Sequence, residues 1–142
     1  MMVLVEAVQL VLPCDAEAPG LVRDELERIE EIATVRTEAK LVASELVSNA
    51  VRHSGCGPRN EIEVRVRLSS ELFEIAVRDP GLSDHVPEVR ENAQDGGFGL
   101  AIVNEIAYRW GKTRSDGQVV WAQVSIPPPP AGPTHAHDDS ES

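Results

Sequence analysis

The sequence predicts an α+β protein, a two-layer α/β sandwich whose mixed, mostly antiparallel sheet carries its helices on one face. Three observations lead there. Two consecutive stretches alternate apolar and charged residues at every second position and are joined by a short turn, so these strands run antiparallel. Two helical stretches follow one another with no strand between them. The resulting order, β-α-α-β-β-loop-α-β, lacks the single alternation of helix and strand that a doubly wound sheet requires.

The elements follow from local pattern. Val3 to Leu12 is apolar and rich in β-branched residues, a strand that Pro13 ends. Pro19 near a start, with Val22, Leu26, Ile29 and Ala33 at helical spacing, predicts a helix from Pro19 to Ala33. A longer helix runs from Val35 to His53 and stops at Ser54-Gly55-Cys56-Gly57-Pro58. Ile62, Val64, Val66 and Leu68 then alternate with Glu61, Glu63, Arg65 and Arg67. Phe73, Ile75 and Val77 do the same against Glu74, Ala76 and Arg78. Each pattern is that of a half-buried strand.

The second of these strands ends at Asp79-Pro80-Gly81, and the polar stretch from Leu82 to Asp95 reads as a loop. Gly96-Gly97-Phe98-Gly99 opens a helix with Leu100, Val103, Ala107 and Trp110 on one side, ending before Gly111. The last strand, Gln118 to Ile126, places Val120, Ala122, Val124 and Ile126 on one face and Val119, Trp121, Gln123 and Ser125 on the other.

Composition narrows the class. The chain has 142 residues, 42% apolar and 26% charged, the balance of a soluble globular protein of one domain. It carries 13 Lys plus Arg against 24 Asp plus Glu, a net charge of −11, and only 4% aromatic residues. An acidic body with few stacking platforms makes direct nucleic-acid binding unfavourable. No apolar run reaches the roughly 20 residues of a bilayer span, and the start lacks a signal-peptide pattern, so a cytoplasmic location away from membranes is expected. Cys14 and Cys56 are too few for a disulfide scaffold and have no metal-ligand companions. Residues 1–126 form the expected domain. Residues 127–142, opening with Pro127-Pro128-Pro129-Pro130 and carrying Asp138, Asp139 and Glu141, form an expected disordered Pro-rich acidic tail.

Three motifs carry chemistry. On the long helix, Glu45 and Asn49 stand one turn apart, with Arg52 and His53 flanking, while Ala39, Ala43, Leu46, Val47 and Ala50 take the opposite arc. A carboxylate beside a carboxamide suits a hard metal ion and a reacting hydroxyl. The helix alone also fits a merely solvated polar face. Asp79 sits at a strand end, and Gly81 lets the backbone approach a flat ligand. Gly97-Phe98-Gly99 stands at a helix start, where free N–H groups and the positive dipole end attract phosphate.

In order and spacing, Glu45-x-x-x-Asn49-Ala50, Asp79-x-Gly81 and Gly97-x-Gly99-Leu100 resemble the N, G1 and G2 boxes of the GHKL ATPase superfamily. More narrowly, the run from Glu45 through Val51-Arg52-His53-Ser54-Gly55 resembles the small anti-sigma-factor serine/threonine kinases of bacteria. The likeness covers Val5 to Ile126 and implies a Bergerat-type, histidine-kinase-like ATPase fold that uses ATP and Mg²⁺. By that resemblance Asn49 ligates Mg²⁺, Glu45 is the general base, and Asp79 accepts from the adenine amino group. Gly81 permits that approach, and Gly97, Gly99 and Leu100 present the phosphate-binding backbone. Arg52 or His53 faces the phosphates, with His53 taken as the binding residue, and Leu82 to Gly96 is the nucleotide lid.

The implied partners are a sigma factor and an anti-anti-sigma protein, with a homodimer as the family's assembly. The chain departs from the pattern at Ser83, where a second glycine is frequent, and at Val119, where many relatives carry a threonine near adenine. The lid holds Asp84, Glu88, Glu91 and Asp95 against Arg90. An ATP-binding interaction module with little or no phosphotransfer is therefore the alternative function. A sensor histidine kinase would need a phosphoacceptor hairpin and sensor for which the chain has no room.

Overall fold

Alternation along the strands builds one sheet with a wet face and a dry face. The computed structural model describes residues 3–81, 99–114 and 116–127. Strands β1 (Val5–Pro13), β2 (Glu61–Leu68), β3 (Leu72–Asp79), β4 (Arg109–Arg114) and β5 (Gln118–Ser125) form a five-stranded sheet in the order β1-β2-β3-β5-β4. All four ladders are antiparallel. In register, Leu12 faces Ile62, Val64 faces Val77, and Val77 in turn faces Val120, so one face is a continuous apolar surface.

Among the described residues, three α-helices, α1 (Ala18–Leu26), α2 (Arg36–His53) and α3 (Gly99–Ile106), pack on that face. Val22 and Leu26 from α1, Ala43, Leu46 and Val47 from α2, and Leu100 and Val103 from α3 join Ile62, Phe73 and Ile75 in one buried core. α2 packs against α1, α3, β3 and β5 at once, which makes it the central helix. The opposite sheet face carries charge ladders. Glu74 is buried there between the Arg67 guanidinium (2.6 Å from Nε) and the Gln123 amide (3.0 Å), so its charge is paired and hydrogen-bonded.

Two elements differ from the pattern reading. The helix expected to reach Ala33 ends at Leu26, and Glu30–Val35 is a separate 3₁₀ turn. Ile29 is extended (φ −96°, ψ 107°), and its carbonyl accepts a 2.7 Å hydrogen bond from Arg36, which fixes the break. The helix expected to run to Trp110 ends at Ile106. There the Tyr108 N–H bonds the Gln123 carbonyl and hands the chain to β4, a strand that helical spacing hid. The Trp121 ring lies so close to Gly111 that a Cβ would meet it at 2.8 Å, so any side chain at this point of the β4–β5 ladder must displace the ring.

Cys14, at the end of β1, and Cys56, in the turn after α2, are joined in a disulfide that closes a separation of 42 residues. Two cysteines thus suffice for one covalent staple, although not for a scaffold. No helix among the described residues is long and apolar enough to cross a membrane. The expected acidic tail beyond Pro127 lies outside the described residues.

Candidate functional site

α2 carries the first part of the site. Being wedged between α1, α3 and the sheet, it has little solvated surface after Ala39. Asn49 is 7% exposed and Glu45 is half-buried one turn earlier. Asn49 is thus drawn into the packing, while Glu45, Ser48, Arg52 and His53 keep contact with solvent. Ala39, Ala43, Leu46, Val47 and Ala50 are all buried in the core, as their arc predicts. His53, half-buried, is the last residue of the helix, and Arg52 beside it is exposed.

The second part is built by the ends of β3 and β5. The inward stripe of β3, Phe73-Ile75-Val77, pairs with Val124-Ala122-Val120 of β5 and then continues by two residues to Asp79 opposite Gln118. An apolar ladder thus ends on a polar pair, and both members are buried, at 3% and 4% exposure. The Gly81 N–H donates to the Asp79 carboxylate at 2.7 Å, and the Gln118 side chain bonds it as well. Burial pushes the Asp79 carboxyl above its ordinary value, against the opposing pull of those two hydrogen bonds and of the nearby Arg114 charge.

Glycine backbone makes this corner thin. Gly81 has φ +71°, and a Cβ there would stand 3.2 Å from the Cα of Gly117. Gly117 (φ +105°) lies against the Asp79 carbonyl so closely that no side chain fits. The turn after β3 and the turn before β5 are therefore pressed together backbone to backbone.

The third part is the start of α3. Gly99 opens this helix, and Leu100 anchors it in the core against α2 at 2% exposure. Gly97 and the expected lid, Leu82 to Gly96, lie outside the described residues. The structure therefore joins Asp79, Gly81, Gly117 and Gln118 in contact. It sets Glu45, Asn49 and His53 along one helix packed on β3 and β5, and starts α3 from Gly99 against that same helix.

One expectation is corrected. Val119, the position anticipated near a bound base, pairs with Arg78 and Thr113 on the face of the sheet away from the helices. Its neighbour Gln118 takes the inward place beside Asp79. Period-two counting back from Val124, Ala122 and Val120 would have found it.

A family model described as the histidine kinase-like ATPase domain matches residues 12–124, more than half of the chain. Among solved structures, the RsbU and RsbW domains of Rv1364c from Mycobacterium tuberculosis resemble it with a TM-score of 0.56 and 20% identity, over 84% of this chain. The match spans 32% of that solved chain, about a third of its length. No curated protein matches the sequence.

Proposed function

The chain belongs to the histidine kinase-like ATPase domain family, and from that premise we propose that it binds ATP with Mg²⁺ and phosphorylates a serine or threonine of a partner protein. The observation that carries this reading is the buried Asp79 carboxylate at the end of β3, bonded by the Gly81 N–H and set beside the close-packed backbone of Gly81 and Gly117. A carboxylate there accepts from the amino group of adenine and repels the carbonyl of guanine.

The remaining roles follow from placement. When bound, Mg²⁺ supplies positive charge against the phosphate oxygens and ATP supplies the phosphoryl group. Among the described residues no group of His, Cys, Asp or Glu is arranged to hold a metal by itself. A single carboxamide ligand, Asn49, with phosphate and water for the rest is the manner in which Mg²⁺ is commonly held. Glu45, one turn away and half-buried, takes the proton from the incoming hydroxyl at its carboxylate oxygen. His53 at the end of α2, the backbone of Gly99 and Leu100 at the start of α3, and Gly97, which lies outside the described residues, hold the phosphates in this reading.

The regulatory setting rests on the Glu45-to-Gly55 run and its likeness to anti-sigma-factor kinases, with an RsbW domain among the proteins that share the fold. In this reading the chain is a cytoplasmic anti-sigma factor and its phosphoacceptor is an anti-anti-sigma protein. Net charge of −11 makes protein partners better suited than nucleic acid.

Incubation with labelled ATP, Mg²⁺ and candidate partners tests this. Label should appear on a partner serine or threonine and be lost in Glu45→Ala and Asn49→Ala. ATP binding without transfer to any partner would replace the kinase with an interaction module, and no heat on titration with MgATP would end the nucleotide reading.

A further inference from the structure

The edge strand β4 carries the charge that the rest of the chain lacks. Between Glu105 and Asp116 stand Arg109, Lys112 and Arg114 and no acid, in a chain of net charge −11. β4 ends the strand order and, among the described residues, pairs only with β5. Arg109 and Lys112 are exposed and straddle its outer edge, Arg109 on the open face opposite Gln123 and Lys112 on the helix face opposite Val120. Arg28, Lys40, Arg65 and Arg67 each have a carboxylate within ion-pair distance. Among the described residues Arg109 and Lys112 have none. Each lies instead 5.8 Å from a tryptophan ring centre, Arg109 by Trp121 and Lys112 by Trp110.

The complementary charge follows β5. Residues 128–142, outside the described residues, contain Asp138, Asp139 and Glu141 and neither Lys nor Arg. The chain leaves the sheet near the start of β4, for Gln123 faces Arg109 and the Ile126 N–H, three residues on, donates to the Glu71 carbonyl. Counting in register, Lys112 lies about 20 Å along the strands from Ile126. The chain from Pro127 to Asp138 spans up to about 36 Å, which is ample. We propose that the outer edge of β4 is the docking site of this chain's own acidic segment, its carboxylates set against Arg109 and Lys112. Docked there, the segment screens an edge that would otherwise accept a strand from another chain. An acidic segment of a partner protein reaches the edge only by displacing it. This inference is independent of the nucleotide reading.

Zero-length carbodiimide cross-linking of the full chain tests it. The sequence has two lysines, Lys40 and Lys112. Lys40 lies 2.6 Å from Glu27, and that pair is the internal control. Lys112 should couple to Asp138, Asp139 or Glu141. That yield should fall several-fold between about 0.01 M and about 1 M salt, as the screening length drops from about 30 Å to about 3 Å. A Lys40 product with no Lys112 product to this segment would overturn the proposal. In a mixture of isotope-labelled and unlabelled chains, the Lys112 product should join residues of one chain. Mixed products as frequent as unmixed ones would assign the edge to a second copy and overturn it too. The two tryptophans each neighbour one of these cations. Asp138→Asn/Asp139→Asn/Glu141→Gln in the full chain should therefore shift tryptophan emission at low salt, and unchanged emission would count against the docking.

Discussion

The backbone of Gly117 rests against the carbonyl oxygen of Asp79, at a distance that excludes any Cβ. Gly117 also has φ +105°, a conformation that side chains disfavour. Gly117→Ala must therefore push the two turns apart. The expected cost is about 1–3 kcal/mol of stability, together with weaker nucleotide binding because Asp79 and Gly81 shift. Thermal melting and calorimetric titration check the two effects separately.

Asp79 sets stability against binding. Burial raises its carboxyl above the ordinary 3.8, so the folded chain keeps that proton to higher pH than the unfolded chain does. Between 3.8 and the raised value, unfolding releases a proton, and stability falls as pH rises. Above that window the buried charge persists, and its cost extends to neutral pH. Asp79→Asn removes the charge while its carbonyl still accepts from the Gly81 N–H, and rotation of the Gln118 carboxamide lets Oε1 accept from the new amide. The melting temperature at pH 7 should rise by a few degrees, a gain that shrinks on acidification. ATP affinity should fall about tenfold or more as the charge-assisted bond is lost.

Much of this corner was legible in the sequence, and the exceptions have physical causes. Period-two alternation placed Ile62, Val64 and Val66 inward, and helical spacing placed Leu46, Val47 and Ala50 on the core, because burial itself writes those patterns. Asp79 with Gly81 was visible as a strand-end turn. Gln118 was not, because a glutamine opening a strand looks like a turn residue until its partner across the ladder is known. β4 was hidden for a similar reason. Trp110 falls at helical spacing from Val103, yet pairing with β5 outweighs that spacing. The split between α1 and the 3₁₀ turn depends on Arg36 reaching back to the Ile29 carbonyl, a contact across seven residues that no local window sees.

The disulfide should contribute measurably to stability. Closing 42 residues between Cys14 and Cys56 restricts the unfolded chain, and reduction or the Cys14→Ala/Cys56→Ala pair should cost about 2–4 kcal/mol. Chemical denaturation with and without reductant checks it, and the double variant should be insensitive to the reductant.

Gly111 allows the Trp121 ring to lie flat across β4, with the Arg109 guanidinium 5.8 Å from the ring centre. Gly111→Ala places a methyl group 2.8 Å from that ring and should cost about 1–3 kcal/mol while changing the tryptophan emission. Because Trp121 is on the face away from the helices, nucleotide affinity should stay unchanged.

The central helix has one more implication. Glu45 and Asn49 ride on the same rod, whose other sides are sealed by α1, α3 and the sheet, so in the proposed reading the reacting groups have no hinge of their own. If that reading holds, warming should extinguish phosphoryl transfer and near-ultraviolet dichroism together, at one temperature rather than two.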